Sequence, residues 1–285
     1  MSPQTGAAHL TAALRDALAA APQLRIVGAD VRRGGPFGVT AGLTERADAL
    51  IELPGSDRAA LGVAAGMAIG GLHPVLLLDG AGRLAALGPA LRSLAALHRH
   101  APLPLLVVAP YGTEAGALDA PLGADALGSG WSITCATTPA AIGAAVTRAL
   151  ADGGPAVVLA QRTALTQRDD GLPTGPWVRD GGHATVVAWG PAVADAVAAA
   201  EVLAAEGIEA GVFALPTLAP LDRAGLADAV RRTGRLVVAH PDDPSAAGVI
   251  RGFAADAAFL YLESPPAEAS GAAQIAAAVR RSVHY

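Results

Sequence analysis

The sequence predicts an α/β protein of two doubly wound domains, each a mostly parallel sheet covered by helices. Three observations predict it. Short apolar runs such as PVLLL (74–78) and RLVVA (235–239) alternate with stretches of helical spacing, joined by short crossovers. A polar break from Gln161 to Gly182 interrupts the alternation, and the same pattern restarts after it. The chain has 285 residues, enough for about two domains of ordinary size.

In order, His9 to Ala20 carries apolar residues at helical spacing, and Leu24 to Val27 is a short buried strand. VRRGGPFGVTAGL (31–43) is punctuated by glycine and proline and is expected as a surface loop. A strand end at Leu50 to Leu53 breaks at Pro54-Gly55. Ser56 then offers a helix cap, Asp57 sits in the first turn, and a small-residue helix runs to Gly70-Gly71. Ala64, Ala65, Gly66, Ala68 and Gly70 leave so little bulk on this helix that another backbone can pack very close. Strands follow at Pro74 to Leu78 and Leu103 to Val108, with a helix from Arg83 to His98 between them.

Residues 110–130 are rich in Gly, Ala and Asp without periodicity, and such a loop follows a strand's carboxyl end, where open α/β sheets bind ligands. Trp131 to Cys135 and Ala156 to Ala160 are strands around a helix from Thr138 to Leu150. Beyond the break come strands at Ala184 to Trp189, Ala210 to Ala214, Arg235 to Ala239 and Phe259 to Leu262. Helices lie at Ala192 to Glu206, Arg223 to Arg232 and Ser245 to Asp256, with Gly207 ending one and Asp222 capping the next.

Composition narrows the function. Hydrophobic residues make up 52% but aromatics only 4%, and every basic side chain is arginine or histidine, since the chain has no lysine. A net charge of -5 leaves no electrostatic footprint for nucleic acid. The single cysteine, Cys135, excludes an internal disulfide and a cysteine-built metal cluster, and its apolar strand makes it inert core. No apolar run is long enough to span a membrane, and the N-terminus lacks a basic segment before an apolar stretch, so a cytoplasmic protein is expected.

Several segments carry a resemblance. GADVRRGGPFGVTAGL (28–43) resembles the early loop of the beta subunits of thiamine-diphosphate 2-oxoacid dehydrogenases of the pyruvate-dehydrogenase type. LPGSDRAALGVAAGMAIGGLHPV (53–75) is similar to that family's cofactor-activating segment. In the second half, Trp189-Gly190, AAEVLAAEGI (199–208), TLAPLD (217–222) and TGR (233–235) match the family's carboxyl-terminal domain in order. The carboxyl-terminal half of a split transketolase is the related resemblance.

The resemblance implies a transketolase-type pyrimidine-binding domain over residues 1–168 and a transketolase C-terminal-like domain over 169–285. It implies that this chain grips the aminopyrimidine of thiamine diphosphate while an alpha-type partner, in a heterodimer or heterotetramer, holds the diphosphate through Mg2+. No Gly-Asp-Gly signature followed by Asn is present, so no metal site is expected in this chain. The implied reaction is cleavage of a 2-oxoacid or ketose with transfer of the acyl or ketol unit, with an acyl-carrier or lipoyl acyltransferase as a possible further partner, and the shortened, aromatic-poor site points to a specialised pathway rather than a housekeeping pyruvate dehydrogenase. Asp57 takes the position of the carboxyl group that activates the cofactor. Gly55, Ala29, Gly80 and Arg83 stand at the other pyrimidine-contacting positions, and the loop bearing Tyr111, Asp119 and Asp125 faces the substrate.

At those positions the residues depart from the family pattern. Asp57 replaces a glutamate and is shorter by one methylene, Gly55 replaces an apolar side chain, and Ala29 replaces a glutamate. Gly80 and Arg83 stand where aromatic residues are usual, and the loop YGTEAGALDAPLGAD (111–125) lacks the usual His-Ser-Gln. Two readings stay open: a redesigned catalytic site, or a non-catalytic scaffold that stabilises the alpha-type partner. Elsewhere, His98 and His100 suit a helix end; Arg32 and Arg33 suit a surface pair or a contact to a phosphate or a partner's acidic patch; and Asp242-Asp243 suits a solvated loop or a cation. His240 is open to a structural or a catalytic role.

Overall fold

The computed structural model describes residues 4–53, 55–80, 82–112, 130–168 and 175–285. The first half alternates α1 (Gly6–Ala20), β1 (Leu24–Gly28), β2 (Leu50–Glu52), α2 (Asp57–Ile69), β3 (His73–Leu77), α3 (Gly82–His98) and β4 (Leu106–Tyr111). It continues with β5 (Ser132–Ala136), α4 (Pro139–Asp152), β6 (Ala156–Gln161) and a short α5 (Arg162–Thr166). The second half runs β7 (Trp177–Arg179), β8 (Ala184–Ala188), α6 (Ala192–Ala204), β9 (Ala210–Ala214), β10 (Thr217–Ala219) and α7 (Arg223–Arg231). It ends with β11 (Leu236–Ala239), α8 (Pro244–Ala258), β12 (Ala267–Ala269) and α9 (Ala272–Val283).

Among the described residues, two sheets form, ordered β10-β5-β6-β4-β3-β1-β2 and β12-β11-β8-β9-β7. All pairings are parallel except β10 with β5 and β7 with β9, both at sheet edges. The central strands are largely apolar because helices cover both faces. One core contains α2, α3, α7 and α8 together with Trp131, Trp189 and Tyr111, and so spans the two halves. The opposite face of the first sheet is closed by α1 and α4, and that of the second by α6 and α9. In each sheet the chain reverses direction around one strand. β1 has β2 on one side and β3 on the other; β8 has β9 on one side and β11 on the other.

The expected caps form. Ser56, Thr138 and Asp222 each accept a hydrogen bond from a backbone N–H three residues on, and Gly207 adopts the left-handed conformation after α6. Five expectations are corrected. Phe259 to Leu262 is not a strand but an exposed 3-10 turn over Phe259–Tyr261 that follows α8 directly, and the sheet's edge is β12 instead. The segment 31–43 is not wholly on the surface, because Val31, Val39, Thr40 and Leu43 are buried under short 3-10 turns. The break from Gln161 to Gly182 contains α5 and β7, the latter paired with β9. The fourth strand starts three residues later than expected, at Leu106. Asp243 is fully buried rather than solvated, its carboxylate accepting from Ala246 N–H at the start of α8 at 3.1 Å.

Candidate functional site

The first sheet's reversal point lies between β1 and β3, and crevices outside the carboxyl ends at such points are where open α/β sheets bind ligands. Here β1 ends at Gly28. A Cβ on Gly28 would lie 2.7 Å from the Leu77 carbonyl oxygen, so glycine lets the two strand ends close together. The chain then turns through Asp30, in the left-handed region at φ 55°, which an aspartate tolerates better than most side chains. Glu52, at the end of β2, holds this turn. Its two carboxylate oxygens accept from Asp30 N–H (2.5 Å) and Arg32 N–H (3.0 Å). Arg32 Nε donates to the Leu50 carbonyl at 3.0 Å, so Arg32 braces the loop, while Arg33 is exposed.

The start of α2 faces the same point. Ser56 caps the helix and Asp57 stands half-buried in its first turn. A small hollow of about 10 Å3, room for roughly one water, is bounded by Gly28, Ala29, Gly55, Asp57, Ala60 and Asp79. Three of the sequence-predicted positions, Asp57, Gly55 and Ala29, are therefore brought together. A Cβ on Gly55 would meet nothing within 4 Å, so the hollow opens outward there. Gly80 is buried just beyond the rim at Asp79, and Arg83 falls in the first turn of α3. Tyr111 closes β4 and is fully buried, pointing its ring at Gly190 in the second half. Asp119 and Asp125 lie outside the described residues.

Arg162 was missed by sequence reasoning. Directly after β6, its Nε donates to the Gly112 carbonyl (2.9 Å) and its Nη2 to the Asp79 carbonyl (3.3 Å). Its guanidinium lies 5.2 Å from the Phe37 ring centroid. It thus ties the rim of the hollow to the ends of β4 and β6. The only sequence signal was an arginine immediately following the last parallel strand of the first half. His98 and His240 take structural roles, Nδ1 accepting from Leu103 N–H (3.2 Å) and Asp243 N–H (3.1 Å) respectively. Cys135 is buried, and burial pushes its thiol up to about 12, which keeps it protonated and inert.

The donor set fits half of thiamine diphosphate. A half-buried carboxyl group beside an open, small-residue wall suits the hydrogen-bonding edge of an aminopyrimidine ring. No cationic side chain lines the hollow among the described residues, so nothing described there would neutralise two phosphates. The hollow is also too small to enclose a ring.

The family described as transketolase, C-terminal domain, matches residues 174–283. The chain is 31% identical to pyruvate dehydrogenase E1 component subunit beta of Leifsonia xyli subsp. xyli, covering 92% of this chain and 84% of that one. It is 30% identical to the acetoin:2,6-dichlorophenolindophenol oxidoreductase subunit beta of Cupriavidus necator, covering 88% and 85%. It is 29% identical to the 2-oxoisovalerate dehydrogenase subunit beta of Bacillus subtilis, covering 76% and 73%. Among solved structures, a split gene transketolase described as an inactive beta4 tetramer superposes with a TM-score of 0.70 at 19% identity, over 98% of each chain, a likeness of fold.

Proposed function

The chain belongs to the beta-subunit family of 2-oxoacid dehydrogenases of the pyruvate dehydrogenase type, and on that premise we propose that it is the beta subunit of a heteromeric thiamine-diphosphate enzyme. Such an enzyme cleaves a 2-oxoacid or ketose and transfers the acyl or ketol unit. The observation that carries this reading is Asp57, a carboxyl group held in the first turn of α2 at the reversal point of the first sheet, beside an open wall.

When bound, the cofactor supplies a carbon nucleophile that its own amino group deprotonates, provided the pyrimidine ring is held in its imino form. Asp57 is suited to hold it so by keeping a proton between its carboxyl oxygen and the ring nitrogen. Leu53, Leu76 and Leu78 line the hollow on the protein side and keep water from that hydrogen bond. Glu52 and Arg162 fix the rim without entering it.

The outer face of α2 supports a partner chain. Gly62, Val63, Gly66 and Ile69 are exposed, and a Cβ on either glycine meets nothing within 4 Å. In this chain alone each glycine costs about 1 kcal/mol relative to alanine and gains nothing. A partner backbone packed close against them supplies the missing gain. Gly62→Leu and Gly66→Leu are therefore expected to fold with unchanged or higher thermal stability, yet to weaken assembly with the alpha-type chain by about tenfold or more. Analytical ultracentrifugation of the mixed chains checks this, and wild-type assembly by both variants would place the partner elsewhere.

A second reading, a non-catalytic scaffold, is favoured by the small residues Gly55 and Ala29, which add no side chain beside Asp57 to grip a ring. The deciding experiment mixes this chain with its alpha-type partner and measures retention of thiamine diphosphate and consumption of a 2-oxoacid. Turnover that requires this chain supports the enzyme; a complex that forms and retains the cofactor but never turns over supports the scaffold.

A further inference from the structure

A larger cavity among the described residues lies elsewhere, between the two halves, with a volume of about 880 Å3, within the range of small-molecule sites. Its position follows from topology. β8, β9, β11 and β12 all end toward it, through Gly190-Pro191, Leu215-Pro216, Pro241-Asp242 and Ser270-Gly271, and β5 and β6 end toward it from the first half at Thr137 and Gln161. The reversal around β8 therefore opens into this cleft, the second sheet's counterpart of the hollow beside Asp57.

The cleft is apolar along α6, where Val193 and Val197 face Val178 of β7. At the strand ends it is acidic. Asp195 stands half-buried in the first turn of α6, its carboxylate without an ion pair or hydrogen bond among the described residues, and Asp242 follows β11. Asp242 accepts from Ser270 Oγ at 2.6 Å. No arginine or histidine lines the cleft among the described residues, although the chain carries 20 arginines. Burial, and then the negative charge of Asp242, raise the Asp195 carboxyl above its ordinary value. The folded chain thus holds that proton more tightly than the unfolded chain, so its contribution to stability is lost as pH rises through the folded value. Asp195→Asn is accordingly expected to be more stable than wild type near neutral pH, with the gain fading below the ordinary aspartate value; urea titrations at several pH values measure it. A cation beside Asp195 would offset both its burial and the repulsion from Asp242.

We propose that the cleft binds a small alkylammonium compound, its amine between Asp195 and Asp242 and its apolar body along Val193, Val197 and Val178. The site stands apart from Asp57 and does not depend on the thiamine-diphosphate reading. The uncapped starts of α6 and α9 also open here and would favour an anion, but α6 already has Asp195 in its first turn.

The test uses the whole chain with hexylammonium, hexanoate and 1-hexanol as isosteric probes, read by calorimetric titration and by the shift in melting temperature. Hexylammonium alone is expected to bind and stabilise, with its affinity reduced about tenfold in Asp195→Asn/Asp242→Asn and its melting shift reduced with it. Ala198→Leu, which fills the exposed groove face of α6 while favouring helix, is expected to block binding without unfolding the chain. Asp57→Asn should leave binding unchanged. Equal binding of hexanoate or hexanol, undiminished binding by the double variant, or no binding of hexylammonium at millimolar concentration each overturns the proposal.

Discussion

Asp57→Asn is expected to lower turnover of the complex with the alpha-type partner by about 100- to 10,000-fold, the range for losing a positioned acid–base group. The substitution removes the ionisable carboxyl but keeps shape and volume. Ser56 still caps α2, and losing one charge at the helix start costs only about 0.5 kcal/mol. Folding and assembly should therefore be untouched, which separates a chemical defect from a structural one. Asp57→Glu, which restores the length usual at this position, is expected to keep measurable turnover, because Gly55 leaves the wall of the hollow open. Steady-state 2-oxoacid consumption by both variants is the measurement. Wild-type turnover by Asp57→Asn would remove Asp57 from the chemistry and leave the scaffold reading in place.

Gly190→Ala carries the largest expected effect on stability, about 2–5 kcal/mol. Gly190 follows β8 at φ 54°, and an added Cβ would lie 2.5 Å from Tyr111 Cε1 and 3.4 Å from Cys135 Sγ. Both neighbours are buried at the ends of β4 and β5, in the core that joins the halves. The left-handed backbone alone costs an L side chain roughly 1–2 kcal/mol, and overpacking against a fixed ring adds about 1–3 kcal/mol. Equilibrium denaturation in urea reads the sum. A loss below about 0.5 kcal/mol, the size of an ordinary surface change, would mean that Tyr111 yields easily and that the contact between the halves is loose.

The sequence was informative wherever local chemistry decided the structure. Ser56 before Asp57, Thr138 before Pro139 and Asp222 after Leu221 each start a helix, because a side-chain oxygen three residues back satisfies an orphan N–H. The apolar runs at 74–78, 156–160 and 184–189 became strands because a sheet covered on both faces needs no alternation. The grouping of Asp57, Gly55 and Ala29 came from the family resemblance, and the three line one hollow where the ends of β1 and β2 meet the start of α2.

Pattern failed where pairing decided. The run Phe259 to Leu262 has strand composition but meets no open edge, so it stays an exposed turn. Thr217–Ala219 has no strand signature yet pairs with β5 of the other half. Arg162 gives no local hint that its guanidinium will reach the Gly112 and Asp79 carbonyls, residues 50 and 83 positions away. Nor does any motif mark the cleft of Asp195 and Asp242, whose walls come from both halves. The sequence by itself determined the helix caps and the buried central strands, because these follow from neighbours within a few residues, and its longer motifs determined the family. Which strand ends face one another, and so where the cavities and their uncompensated charges lie, was decided only by the packing of the two sheets.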